Sequence, residues 1–388
     1  MRAKRGRVGA LALALVLLGA TSGCGLVGGG HHAGFVESML GQVPDSAATR
    51  SEVLVSDHAG ARKLAGIAQP PHDVTDKSFG HYNRLFASTP KRRSKALAVN
   101  IQLFERGSQV AEFRRELGFS MVDADQVLQA GSPPNVIEIV RGRHIDPDEI
   151  NHAVHADPAW KGDLTERSHD GERYYRWLAD NKLEIKLRST ARPIGESARL
   201  AVDGHQIRWA RSDEVVEGSI DAGHGKSKSL AGDDSMRSLA RTLDDREVYN
   251  AFLTGDPKRF EVDPLLLVRR RRIPIGSTSM NRLLEEARKH ALQPWEALAV
   301  GDAVVDGKPL GVIVIANRDG ATAKSNARRL RQTLEHGSSA VTGEPYRNML
   351  PVHSVTSRGN LVVALVNERL PTMLFRSAFQ GDTLFAHT

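Results

Sequence analysis

The chain has 388 residues, of which 40% are hydrophobic and 26% charged, enough for two or three ordinary domains and too apolar for a disordered or collagenous polymer. Lys and Arg (53) outnumber Asp and Glu (46), and the resulting charge of +7 at first suits a nucleic-acid or anionic-membrane partner. One cysteine excludes an intramolecular disulfide framework and any zinc or iron–sulfur site built from cysteines.

Arg2, Lys4, Arg5 and Arg7 form a basic head without an acid, and Val8 to Ala20 follow as an apolar run too short to span a membrane comfortably. Thr21, Ser22 and Gly23 then place small residues before Cys24. This segment resembles a bacterial lipoprotein signal, which implies that Cys24 receives a thioether-linked diacylglycerol, with palmitate among its acyl chains, and becomes the mature N-terminus. Thr21 stands where such signals usually carry Leu or another aliphatic residue. Gly25 to Gly34 hold five glycines and read as a flexible tether. Loss of residues 1–23 removes four basic residues and no acid, so the +7 of the precursor becomes +3. An exported, mildly basic protein with 5% aromatic residues is not expected to bind nucleic acid.

Residues 35–130 read as a mainly helical region. Ser51 to Val55 is a β-branched run suited to a short strand, Asp57 can cap a helix carrying Ala59, Arg62, Leu64 and Ala65, and Val110 to Leu117 and Asp123 to Gln129 are predicted helices. Residues 131–257 read as a mixed unit. Val136 to Val140 is an apolar strand, and Asp146 with Pro147 opens a helix to about Ala156. Asp170-Gly171 and Asp203-Gly204 are predicted hairpin turns, Asp213 to Asp221 and Ser235 to Leu243 are predicted helices, and Val248 to Leu253 is apolar. Residues 258–388 repeat this grammar. Hairpins turn at Asp306-Gly307 and Arg358-Gly359-Asn360, and between them Asp319 caps a helix with Ala323, Ala327, Leu330 and Leu334 on one face until Gly337. The expected fold class is α+β: a helical N-terminal region followed by two sandwich-like units with antiparallel hairpins, with ancient duplication as one account of the repetition.

Leu40-Gly41-Gln42-Val43-Pro44, the Asp57 helix start, Gly131-Ser132-Pro133-Pro134, Arg141-Gly142 followed by Asp146-Pro147, and Ser229-Leu230-Ala231-Gly232-Asp233-Asp234 together resemble a group of uncharacterised actinobacterial secreted lipoproteins. The resemblance covers most of residues 35–255. It implies location and architecture and no activity. The excess of 39 Arg over 14 Lys agrees with a GC-rich genome.

Gly223-His224-Gly225-Lys226-Ser227 ends like a phosphate-binding loop, but Ile220 occupies the position of its first glycine and the preceding stretch is helical. Asp148, His152 and His155 share a helix face at spacings of four and three and are the candidate metal ligands, with His144, Asp163 and His169 near in sequence. No Gly-x-Ser-x-Gly elbow is present, and Ser88-Thr89-Pro90-Lys91 lacks the partner motifs of penicillin-recognising enzymes. Arg269, Arg270, Arg271 and Arg272 are the candidate binding residues for anionic headgroups, envelope polymers or a partner's carboxylates. No cofactor is expected. The sequence therefore points to an exported, lipid-anchored protein on the outer face of the cell membrane, acting by non-covalent binding or scaffolding of an envelope protein or small ligand. The alternative is an envelope hydrolase, metal-dependent through the His152/His155 helix.

Overall fold

A computed structural model describes residues 34–87, 94–105, 109–261, 285, 288 and 291–387. Short helices α1 (Phe35–Leu40) and α2 (Ala47–Ser51) lead into strand β1 (Val53–Asp57), whose last residue caps α3 (His58–Ala65) by accepting the Gly60 N–H. After α4 (Val110–Leu117) come the hairpin of β2 (Gln126–Ser132) and β3 (Asn135–Arg141), then α5 (Pro147–Ala156), which Asp146 caps. Strands β4 (Leu164–His169), β5 (Glu172–Trp177), β6 (Ala198–Asp203) and β7 (Gln206–Ala210) precede α6 (Asp213–Gly223) and α7 (Asp234–Asp244). The chain continues through β8 (Asn250–Thr254), β9 (Ala297–Val305), β10 (Lys308–Ala316), α8 (Gly320–His336) and α9 (Tyr346–Met349). It closes with β11 (Val352–Arg358), β12 (Leu361–Asn367) and α10 (Met373–Phe379).

The strands form one 12-stranded sheet in the order β11-β12-β10-β9-β8-β1-β2-β3-β7-β6-β5-β4, every pairing antiparallel. The fold is α+β. Most hairpins follow turn chemistry: Asp170 and Gly171, and Asp306 and Gly307, all have positive φ, as a two-residue turn of this hand requires. The β6–β7 turn consists of Gly204 and His205, so Asp203 is the last residue of its strand. Asp123 to Gln129, expected as a helix, instead leads into β2, because Val127 and Leu128 are buried against opposite faces of the sheet. A short apolar run buried on both faces has no alternation to separate it from a buried helix. The 130/131 boundary lies inside β2, β1 from the N-terminal region sits mid-sheet, and β8 and β9 pair across the 257/258 boundary.

Side-chain alternation along the strands gives each face its own core. One face buries Val53, Val55, Leu128, Ile139 and Val314 under α1, α6 and α7. The other is covered in two patches, Val127, Val140 and Ile207 beneath α4 and α5, and Leu54, Phe252, Val300 and Ile315 beneath α8 and α10. Two of the sequence motifs meet in this packing. The Val43 carbonyl accepts the Leu230 N–H, Pro44 bridges Ser229, and Arg50 pairs with both Asp45 and Asp233. The Arg141-Gly142 motif has a steric reason: a Cβ on Gly142 would lie 1.9 Å from the Asp123 carbonyl oxygen. Backbone cannot rotate away as a side chain can, so Gly142→Ala is expected to destabilise the protein by about 1–3 kcal/mol. Urea unfolding checks this, and an unchanged midpoint would contradict it.

Candidate functional site

The polar part of the first face lies where α6 crosses β5, β6 and β7. Asp213, Glu217 and Asp221 recur every four residues, so they form an acidic ridge along one side of α6. Beneath it, fully buried Arg199 binds Asp213 and Asp180, Arg176 approaches Asp213 at 3.5 Å, and Tyr174 donates to Glu217 at 2.8 Å. His169 Nε2 lies 2.8 Å from Asp221. The Tyr174 hydroxyl is pushed up by burial and by its bond to Glu217, so it remains a donor at physiological pH.

A second polar row continues across the sheet. Arg208, 1% exposed, donates from one terminal nitrogen to Glu172 Oε1 at 2.5 Å and from the other to Gln42 Oε1 at 3.0 Å. Gln42 Oε1 also accepts from Gln206, whose own Oε1 accepts from Arg141. The polar residue after α1 is thus the acceptor shared by two side chains of β7. At the far end Arg141, Arg143, His205 and Asp125 line an open cleft of about 500 Å³.

Both rows end at one corner of the sheet. Glu172 opens β5, Asp203 closes β6, and His224 follows the last residue of α6. Each offers a donor atom within 4.8 Å of the other two, and among the described residues they are the group with the composition and spacing of metal ligands. Asp170, in the β4–β5 turn, accepts from His224 Nδ1 at 2.6 Å and binds the Lys226 ammonium. These two partners hold the Asp170 carboxyl below its ordinary range, Lys226 most strongly. Glu172 is pushed up by burial, against the opposing pull of Arg208. Its Oε2 is buried without a hydrogen bond and lies 3.6 Å from His224 Nε2. A corner of this kind can hold a cation. It carries no nucleophilic side chain and no base held against one.

The helix face favoured from sequence is arranged differently. Asp148, His152 and His155 are all exposed on α5. His155 Nδ1 is bonded to the Asn151 carbonyl at 2.8 Å, its Nε2 is 3.3 Å from Glu166, and its ring meets Tyr175 edge-on. Asp148 lies in the first turn, its N–H bonded to the capping Asp146. Of the neighbouring candidates, His169 is drawn to Asp221 of α6. Lys226, in the stretch that resembles a phosphate loop, is engaged with Asp170. Cys24 and Arg269 to Arg272 lie outside the described residues. Sequence reading missed the corner because its members are 31 and 21 residues apart along the chain. The usable signal was the acidic ridge of α6 followed by His224, together with two Asp-Gly pairs at hairpin ends.

No helix of the described residues is long and apolar enough to cross a membrane. No protein-family model and no curated protein matches the chain. Three crystal forms of TP0453 are among the solved structures that align with it. Form I aligns at a TM-score of 0.37 with 10% identity, covering 89% of this chain and 97% of that chain. Form III gives 0.37 and 9% identity over 84% and 93%, and form IV gives 0.34 and 8% over 88% and 96%.

Proposed function

We propose that this chain is an exported lipoprotein of the actinobacterial secreted type, held by a diacylglycerol on Cys24 at the outer face of the cell membrane, and that it works by non-covalent binding of an envelope protein or small ligand. One observation carries the reading: the only cysteine of the chain follows a basic head, a short apolar run and three small residues, and precedes a glycine-rich stretch. A diacylglycerol adds two acyl chains, the number needed for stable anchoring. A single antiparallel sheet of 12 strands suits display of a binding face at the end of a tether.

Radiolabelled palmitate fed to the producing cells is expected to enter the wild-type protein and not Cys24→Ala, and the variant is expected to leave the membrane fraction. Equal labelling of both proteins would reject the anchor. The binding role is tested by native mass spectrometry of the protein taken from its own cells, where a retained ligand or partner adds mass.

A further inference from the structure

We propose that Glu172, Asp203 and His224 bind one divalent first-row transition ion, for which Zn²⁺ is the probe, at the corner where two hairpins meet the end of α6. The argument begins with Glu172. Its side chain is 6% exposed, Arg208 satisfies Oε1, and Oε2 is buried without a hydrogen-bond donor while it faces the imidazole. Leaving a carboxylate oxygen in that state costs free energy, and a cation beside it removes the cost.

The imidazole is prepared for the same ion. With Nδ1–H donated to Asp170, the lone pair of His224 is on Nε2, the atom aimed at Glu172. This is the arrangement in which an outer carboxylate fixes the tautomer of a metal-binding histidine, and Lys226 in turn braces Asp170. Metal–ligand bonds of about 2.0–2.1 Å at a tetrahedral angle separate donor atoms by about 3.3 Å, close to the 3.6 Å between Nε2 and Oε2. Asp203, exposed at the end of β6, supplies the third donor atom within 4.8 Å of the other two, and water completes the coordination. One imidazole with two carboxylates favours zinc, manganese or iron over calcium and magnesium, which take oxygen ligands. Both Asp203 and His224 face solvent, so an ion has an entry path. The proposal concerns the folded sheet alone and does not rest on acylation of Cys24.

The test is a calorimetric titration of chelator-stripped full-length protein with Zn²⁺, paralleled by the visible absorption of a Co²⁺-loaded sample. One equivalent is expected to bind, with the strong bands of tetrahedral cobalt. Asp170→Asn is expected to weaken binding about 10–100-fold, and His224→Gln and Asp203→Asn by more. These two positions are exposed, so circular dichroism should show an intact fold. Cys24→Ala, His152→Ala and His155→Ala are expected to bind as the wild type does. Failure of the wild type to take up zinc would overturn the proposal, as would unchanged affinity in His224→Gln or loss of binding in His152→Ala.

Discussion

Replacing Arg192 with alanine is expected to destabilise the protein by about 3–5 kcal/mol, the range for stripping one partner from a buried ionic site. The guanidinium of Arg192 is fully buried, with its carbon 3.9 Å from the ring centroid of Trp160 and 3.8 Å from that of Trp177. One terminal nitrogen donates to the Ala159 carbonyl at 2.7 Å and lies 3.8 Å from Glu116. Burial draws its pKa down to about 10, which still leaves it charged at neutral pH. The alanine variant therefore loses two cation–π contacts, opens a gap between the indoles, and leaves the buried Glu116 without its cation. Lysine should recover little, since a compact ammonium cannot lie flat between two rings. Urea unfolding followed by tryptophan fluorescence measures the effect directly. A loss below about 1 kcal/mol would show that the indoles close over the gap.

Stability is expected to fall as the pH rises from about 6.5 to 8, and Glu138→Gln should remove much of that fall. Glu138 is fully buried on β3, accepts the Leu103 N–H at 2.9 Å, and is pushed up to about 8 by desolvation. An unfolded chain releases this proton near 4.5, whereas the folded chain keeps it until about pH 8. The protonated folded form thus contributes stability that is full below pH 4.5 and lost as pH climbs to 8, on the order of 4–5 kcal/mol in all.

Asp302 and Glu368 act in the same direction. Asp302 Oδ2 accepts from Asn250 and Glu368 Oε1 accepts the Leu374 N–H, while the other oxygen of each is buried without a donor. One proton shared between them accounts for both oxygens; burial pushes both carboxyls up, and the neighbouring Asp302 raises Glu368 further. His58 works oppositely. It is fully buried, and desolvation lowers its pKa from 6.5 to about 4, so its contribution is lost as pH falls through that window. The two effects oppose one another below pH 6.5, and above it the carboxyls act alone. Melting temperatures of wild type and Glu138→Gln should therefore differ little at pH 5 and clearly at pH 8, with the variant higher. A wild-type midpoint that rises over pH 6.5–8 would contradict this.

Local sequence signals proved informative wherever local chemistry decides the conformation. Asp57, Asp146 and Asp319 each cap the helix expected of them, because a short carboxylate beside free N–H groups acts within three residues. Asp170-Gly171 and Asp306-Gly307 turn as expected because their positive φ values suit those residues. Long-range pairing was not legible. Val127 and Leu128, and Val248 to Leu253, are apolar runs that each have β1 as a remote partner and are buried on both faces, so their periodicity does not say strand or helix. The same holds for the corner site. Glu172, Asp203 and His224 come from a strand start, a strand end and a helix end, and antiparallel register brings them together. Asp148, His152 and His155 drew attention because helical spacing can be read from the chain, but spacing on one exposed helix face supplies no ligand from a second element.

The position of β1 has a consequence for how the molecule is made. Val53 to Ser56 pair with β2 on one side and with Leu253 to Asn250 on the other, a contact spanning about 200 residues. A chain emerging from its N-terminus thus holds Val53, Leu54 and Val55 beside an open backbone edge until residue 254 is out. Assembly of the centre must wait for the second half, a slow topology with a sticky intermediate. The two halves are mutual edge protectors: either one released alone would present its central strand to the next molecule.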